Sequence, residues 1–208
     1  MNRLIAIAAA VLFLAGGPPG MAQAQTAEAV VDTSLVREMT LGDENAPVTV
    51  IEYASFTCPH CANFHAEVLD DLKANYIDTG KVRFVYREVY FDRFGLWAGM
   101  VARCGGGEKY FGIADLIYER QSEWTAGETP GEVAGNLAAI GRTAGLSEAE
   151  VGACLQDVNM AQALIAVFEE TTQADDINST PSFVIDGTKY SNMSYDAFAA
   201  ILDEKLGG

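Results

Sequence analysis

The stretch from Val48 to Tyr76 constrains this chain most, because it switches from one structural period to another across a pair of cysteines. Val48, Val50, Ile51, Tyr53 and Ala54 put apolar side chains on both faces of the run Val48 to Ser55, as a central strand requires, and Glu52 is its only charge. From Cys61 onward Phe64, Val68, Leu72 and Tyr76 recur at helical spacing. Asp78-Thr79-Gly80 then ends the helix, and Val82 to Tyr86 reads as a second strand. The junction inside this strand-helix-strand unit is Cys58-Pro59-His60-Cys61, and two cysteines two residues apart at such a place suit disulfide exchange.

The chemistry follows from the cap. Proline is favoured at the first helical position, so Pro59 makes Cys58 the N-cap and sets Cys61 one turn inside. The Cys58 sulfur then faces backbone N–H groups near His60 and Cys61 that have no partner within the helix, and the macrodipole favours its anion. Cys58 is the expected attacking thiolate, and Cys61, on the inner face with Phe64 and Val68, its shielded partner. Lowering a thiol pKa by roughly 3 to 4 takes about 4 to 5 kcal/mol, whereas a helix terminus supplies at most about 2 kcal/mol. Hydrogen bonds and His60 must supply the remainder. A thiolate stabilised in this way stabilises the reduced protein and makes its disulfide the more oxidising. A zinc or copper site would need ligands that the spacing does not offer, since no second CxxC or paired histidines exist, so neither metal nor cofactor is expected. His65, on the same inner face, is expected as a satisfied boundary histidine.

Between Asp92 and Ala174 strand signals give way to helical ones. Thr129-Pro130-Gly131-Glu132 and Ser147-Glu148-Ala149-Glu150 each open a helix with a capping hydroxyl and a glutamate three residues on. Strand character returns at Ser182 to Ile185, turns at Asp186-Gly187 and pairs back through Thr188 to Tyr190, before a helix from Tyr195 to Leu206. Cys104 and Cys154 both lie on apolar helix faces of the helical stretch and are read as a structural disulfide, with two free buried thiols as the alternative.

The N-terminus carries Arg3, an apolar run from Leu4 to Ala15, a Gly-Gly-Pro-Pro-Gly breaker and small residues up to Ala24. The run is shorter than the roughly 20 residues that span a bilayer, and the pattern is that of a signal peptide cleaved after Ala24. Basic residues number 13 against 29 acidic, for a formal net charge of −16, which loss of Arg3 would deepen by one. Such a surface repels phosphate backbones, so nucleic acid is excluded as a partner.

Phe56-Thr57-Cys58-Pro59-His60-Cys61, Thr180-Pro181 ahead of a hairpin, and this order of elements together resemble the Dsb-type periplasmic thiol oxidases over roughly residues 40 to 208. That family is a branch of the thioredoxin fold, an α/β architecture with an all-helical domain inserted between its halves. The resemblance implies a signal peptide over 1–24, an N-terminal segment over 25–46, thioredoxin-like halves over 47–91 and 175–208, and the helical insert over 92–174. It also implies a cis peptide between Thr180 and Pro181 against the active cysteines, and a buried acid at Glu52 that moves a proton to or from Cys61. One departure stands out: the family's usual lysine partner for that acid has no equivalent, the nearest positions being Tyr86 and Arg87. The implied partners are cysteine-containing unfolded or newly exported proteins and a membrane-embedded, quinone-linked thiol oxidase for reoxidation. Thr180 before the proline resembles isomerase relatives, but residues 25–46 are too few for the dimerisation domain those carry, so a monomer is expected.

Overall fold

Residues 31–208 are described by the structure, a computed structural model; the expected signal peptide and its cleavage site lie outside them. Five strands form one mixed sheet. These are β1 (Met39–Leu41), β2 (Val48–Ala54), β3 (Val82–Glu88), β4 (Ser182–Ile185) and β5 (Thr188–Ser191), in spatial order β1-β3-β2-β4-β5. β2 and β3 run parallel and every other neighbouring pair is antiparallel. The central position of β2 accounts for its apolar side chains on both faces, since each face is covered. β1 falls in a segment without a strand signal. Three residues with only Met39 buried are too few to express an alternation, and β1 forms because β3 offers it an edge. The β4–β5 hairpin turns through Asp186 and Gly187, both at positive φ, the backbone that a two-residue turn of this hand requires.

The helix after β2 is not uniformly wound. α1 (Pro59–Phe64) passes into a π-helical turn (His65–Leu69), α2 (Asp70–Leu72) and a second π-helical turn (Lys73–Ile77). In an α-helix of 3.6 residues per turn, each four-residue step overshoots the face by about 40°. The looser π turns absorb that drift, so that Phe64, Val68, Leu72 and Tyr76 all stay buried against the sheet.

Six helices fill the chain between β3 and β4. They are α3 (Arg93–Cys104), α4 (Gly107–Glu119), α5 (Gln121–Trp124), α6 (Pro130–Thr143), α7 (Glu148–Leu155) and α8 (Val158–Ala174). Thr129 and Ser147 cap α6 and α7 with complete capping boxes, each satisfying otherwise orphaned N–H groups. α9 (Tyr195–Lys205) returns to the sheet, where Phe198 packs beside Phe64 and Phe183. Two links tie the helical layer together and to the sheet. Arg103 on α3 grips Glu88 at the end of β3 through two 2.7 Å bonds, and Tyr110 on α4 donates to the same carboxylate at 2.8 Å. Both charges are almost wholly buried, so each depends on the other to offset its lost hydration.

The second link is a disulfide between Cys104 at the end of α3 and Cys154 in α7, with Cα atoms 5.8 Å apart and a sequence separation of 50. Replacing both cysteines by alanine is expected to lower the unfolding free energy by about 4 kcal/mol through the loop entropy it restores to the unfolded chain. Urea denaturation of the variant and the parent measures this.

Candidate active site

β2 ends at Ala54, and the chain turns on a hydrogen bond from the Cys58 N–H to the Ser55 carbonyl (3.0 Å). Cys58 is extended (φ −86°, ψ 117°) and Pro59 occupies the first helical turn, so Cys58 is the N-cap of α1. Its carbonyl accepts the first helical bonds, from Cys61 and Ala62. Its side chain makes no cap bond, which leaves the sulfur facing the open amides.

The two thiols sit in different surroundings. Cys58 lies at the protein surface boundary, while Cys61 is wholly buried. As a thiolate Cys58 is set to accept hydrogen bonds from the Cys61 thiol first of all, then from Thr180 and from the backbone amides of Cys61 and His60. Partial burial opposes these bonds, and the balance holds the Cys58 pKa down at about 5. Cys61 is pushed far above the thiol range, by burial, by the hydrogen bond it gives to Cys58, and by the charge of Glu52. His60 therefore contributes through its backbone N–H, and its side chain is exposed.

Thr180 and Pro181 close the site from the other side. Their peptide bond is cis, and the Thr180 carbonyl lies 3.5 Å from Cys58 Sγ. In the neutral state the Cys58 thiol donates to that carbonyl, whereas the thiolate calls instead on the Thr180 hydroxyl, which is buried with no other partner. The helical layer holds the loop from above. Gln121 donates to the carbonyls of Phe56 (2.8 Å) and Cys58 (3.1 Å). Asp92 caps α3 with one carboxylate oxygen and accepts from Thr57 Oγ1 (3.0 Å) with the other.

Glu52 is completely buried on the core side of β2, beside the buried thiol. Its register partner on β3 is Tyr86, and Arg87 points to the opposite face, where it binds Tyr53 and Glu38. The place of the missing lysine is taken by a residue from the helix. His65 is largely buried at the edge of the core, with Nε2 3.1 Å from Glu52 Oε2, a partner that its spacing does not predict. Its ring lies 4.2 Å from that of Tyr118 and meets Tyr86 edge-on. The second atoms of the pair, Glu52 Oε1 and His65 Nδ1, are buried without partners. The signal available in the sequence was the four-residue step from Cys61 to His65, which keeps both on one helical face. Among the described residues no group of three or more His, Cys, Asp or Glu side chains is placed to hold a metal ion.

A thioredoxin-type sheet with an N-capping thiol, a buried second thiol and a cis-proline loop defines the class of DsbA-like dithiol proteins. The thioredoxin family model matches residues 34–204, and the chain belongs to that family. A Rickettsia bellii protein named as a protein-disulfide oxidoreductase is 34% identical over 170 residues, covering 81% of this chain and 64% of the relative. Disulfide bond formation protein D of Bacillus subtilis is 24% identical over 184 residues, covering 84% of this chain and 80% of that protein. The chain thus spans somewhat under two thirds of the Rickettsia bellii relative. Among solved structures, Wolbachia pipientis alpha-DsbA1 superposes with a TM-score of 0.76 at 26% identity, over 84% of this chain and 96% of that one. BdbD from Bacillus subtilis in its oxidised form gives a TM-score of 0.72 at 20% identity, over 82% and 94% of the two chains, a likeness of fold.

The depressed Cys58 pKa has a definite consequence for the reduced protein. In the unfolded chain the thiol titrates near its ordinary value, so between about 5 and that value only the folded state holds the thiolate. The stabilisation is full above the unfolded pKa and is lost as pH falls through about 5. Cys61 is protonated in both states until pH nears that ordinary value, and only above it does its raised pKa in the fold work against stability. At neutral pH the reduced form is expected to melt above the oxidised form, and the gap to shrink as pH is lowered through about 5. Parallel thermal unfolding of the two redox forms across pH measures it, and a more stable oxidised form at pH 7 contradicts it.

Proposed function

We propose that this protein is an exported thiol-disulfide oxidoreductase that donates the Cys58–Cys61 disulfide to newly exported, cysteine-containing proteins. The observation that carries the reading is the asymmetry of the thiol pair: one sulfur is stabilised as an anion at a helix N-terminus, and the other is buried and protonated. A substrate thiolate attacks Cys58 Sγ, the Cys58–Cys61 bond breaks, and Cys61 leaves and takes up a proton. A second substrate thiolate then attacks the substrate sulfur of the mixed disulfide and releases Cys58 as a thiolate. The substrate dithiol loses two electrons, the protein disulfide gains them, and of the two substrate protons one ends on Cys61 and one in solvent. The low pKa of Cys58 makes it the better leaving group in the second step and so favours donation.

Supply of new disulfides requires reoxidation, and a membrane-embedded, quinone-linked thiol oxidase is the reoxidant in this reading. The leader-like N-terminus supports action in an oxidising exported compartment, the periplasm. The protein is taken to act as a monomer. An isomerase or reductase of the same fold is the second reading, favoured by Thr180 at the position before the cis-proline.

The reduction potential separates the two. Equilibration with glutathione is expected to give a value near about −120 mV, and a value near the about −270 mV of a thioredoxin would make the protein a reductant. Removing the sulfur that expels a bound partner identifies the reacting one: in Cys61→Ala the Cys58 thiolate attacks a partner's disulfide, releases one of its thiolates and cannot be freed by Cys61, so covalent complexes through Cys58 are expected to accumulate, and Cys58→Ala is expected to give none.

A further inference from the structure

The exchange at Cys58 and Cys61 requires a proton to reach and leave a sulfur that has no contact with water. Glu52, the acid beside it, is as deeply buried as Cys61 itself. Among the described residues the one polar side chain bonded to Glu52 is His65, and His65 borders an open pocket of about 500 Å³ between α4 and the start of the active-site helix. Asn63, Asp70, Asp115, Tyr118 and Glu119 line the same pocket. The titratable groups that face the imidazole or line its pocket are Glu52 from β2, Tyr86 from β3, Asp115, Tyr118 and Glu119 from α4, and Cys61 and Asp70 from its own helix.

We propose that His65 is a positioning residue that links Glu52 to this pocket and carries its proton to and from solvent. The proposal rests on the reading of Cys58 and Cys61 as an exchanging pair. As Cys61 leaves the disulfide its sulfur takes a proton from Glu52, Glu52 takes one from His65 Nε2, and the ring regains a proton at Nδ1 from water that enters through the pocket His65 borders, a step that requires the pocket wall to open because Nδ1 is covered in this structure. Reoxidation runs the same transfers backwards, with the proton of Cys61 delivered to the pocket. No electron passes through the relay. The two atoms at its ends, Glu52 Oε1 and His65 Nδ1, are buried without hydrogen-bond partners, so neither has a competing bond to break when a proton is exchanged there. The imidazole is suited to the task because it accepts at one nitrogen while donating at the other. The Tyr118 ring, packed at a tilt 4.2 Å away, holds it in line. Asp115, exposed at the pocket wall, is placed to favour the imidazolium when it forms.

The test is the rate of reduction of the Cys58–Cys61 disulfide by a dithiol peptide, followed by rapid quenching and alkylation across pH in light and heavy water. His65→Gln keeps a hydrogen bond to Glu52 and cannot transfer a proton. It is expected to slow the reaction about tenfold near neutral pH and to raise the solvent isotope effect. His65→Ala leaves room for a free base, and added imidazole is expected to restore most of its rate. Asp115→Asn, on a partly exposed side chain that leaves the core intact, is expected to lower the rate about threefold and to shift the pH profile. Parent rates and an unchanged isotope effect in His65→Gln overturn the proposal, as does a loss in His65→Ala that imidazole leaves untouched. Should the His65 variants fail to fold, a parent rate and profile in Asp115→Asn overturns it. Failure of the underlying reading looks different, because the parent protein itself would then form no mixed disulfide at Cys58.

Discussion

The first turn of α1 holds backbone N–H groups that no carbonyl of the helix can reach, and the Cys58 sulfur is the atom set before them. Keeping that position filled by sulfur and free of competing caps is the constraint around which the site is arranged. Pro59 removes one N–H that would otherwise need a partner, and the Ser55 carbonyl turns the chain so that Cys58 enters the helix extended. The side chains best able to cap a helix nearby, Ser55, Thr57 and Asp92, bind one another or cap α3 instead. The amides are thereby reserved for the thiolate.

Stabilising one charge at the boundary of the core carries a cost for its neighbours. Cys61 and Glu52 share a buried region with three tyrosine hydroxyls, Tyr86, Tyr110 and Tyr118, all held protonated by burial. Tyr86 and Tyr118 bond to each other at 2.6 Å and Tyr110 to Glu88, so the three hydroxyls have partners in this apolar setting. The region tolerates a carboxylate because the imidazole stands beside it, and the fold brings that imidazole from the helix rather than from the adjacent strand.

Much of this was legible in the sequence where the determinants are local. The capping boxes at Thr129 and Ser147, the Pro59 start of α1 and the period of β2 each depend on residues a few positions apart, and the structure has them where the pattern puts them. β1 was not legible, because a strand of three residues borrows its shape from the strand it joins. The union of His65 with Glu52 was hidden for a different reason: each residue alone is ordinary, and only the packing of helix on sheet makes them neighbours. Gln121 and Asp92 likewise reach the redox loop across 63 and 35 positions of sequence.

The π-helical turns after Phe64 give the active-site helix a pitch near four residues. Seen as a screw thread, this helix advances along the sheet without rotating away from it, so the same face meets the core from the thiol end to Ile77. Restored to ordinary α-helical winding, the segment from Phe64 to Tyr76 would turn by about 120° and swing Tyr76, with its bond to Asp203, out towards water. The winding of the helix therefore connects the redox end of the molecule to α9 as a rigid shaft, and a single residue inserted between them would act at both ends at once.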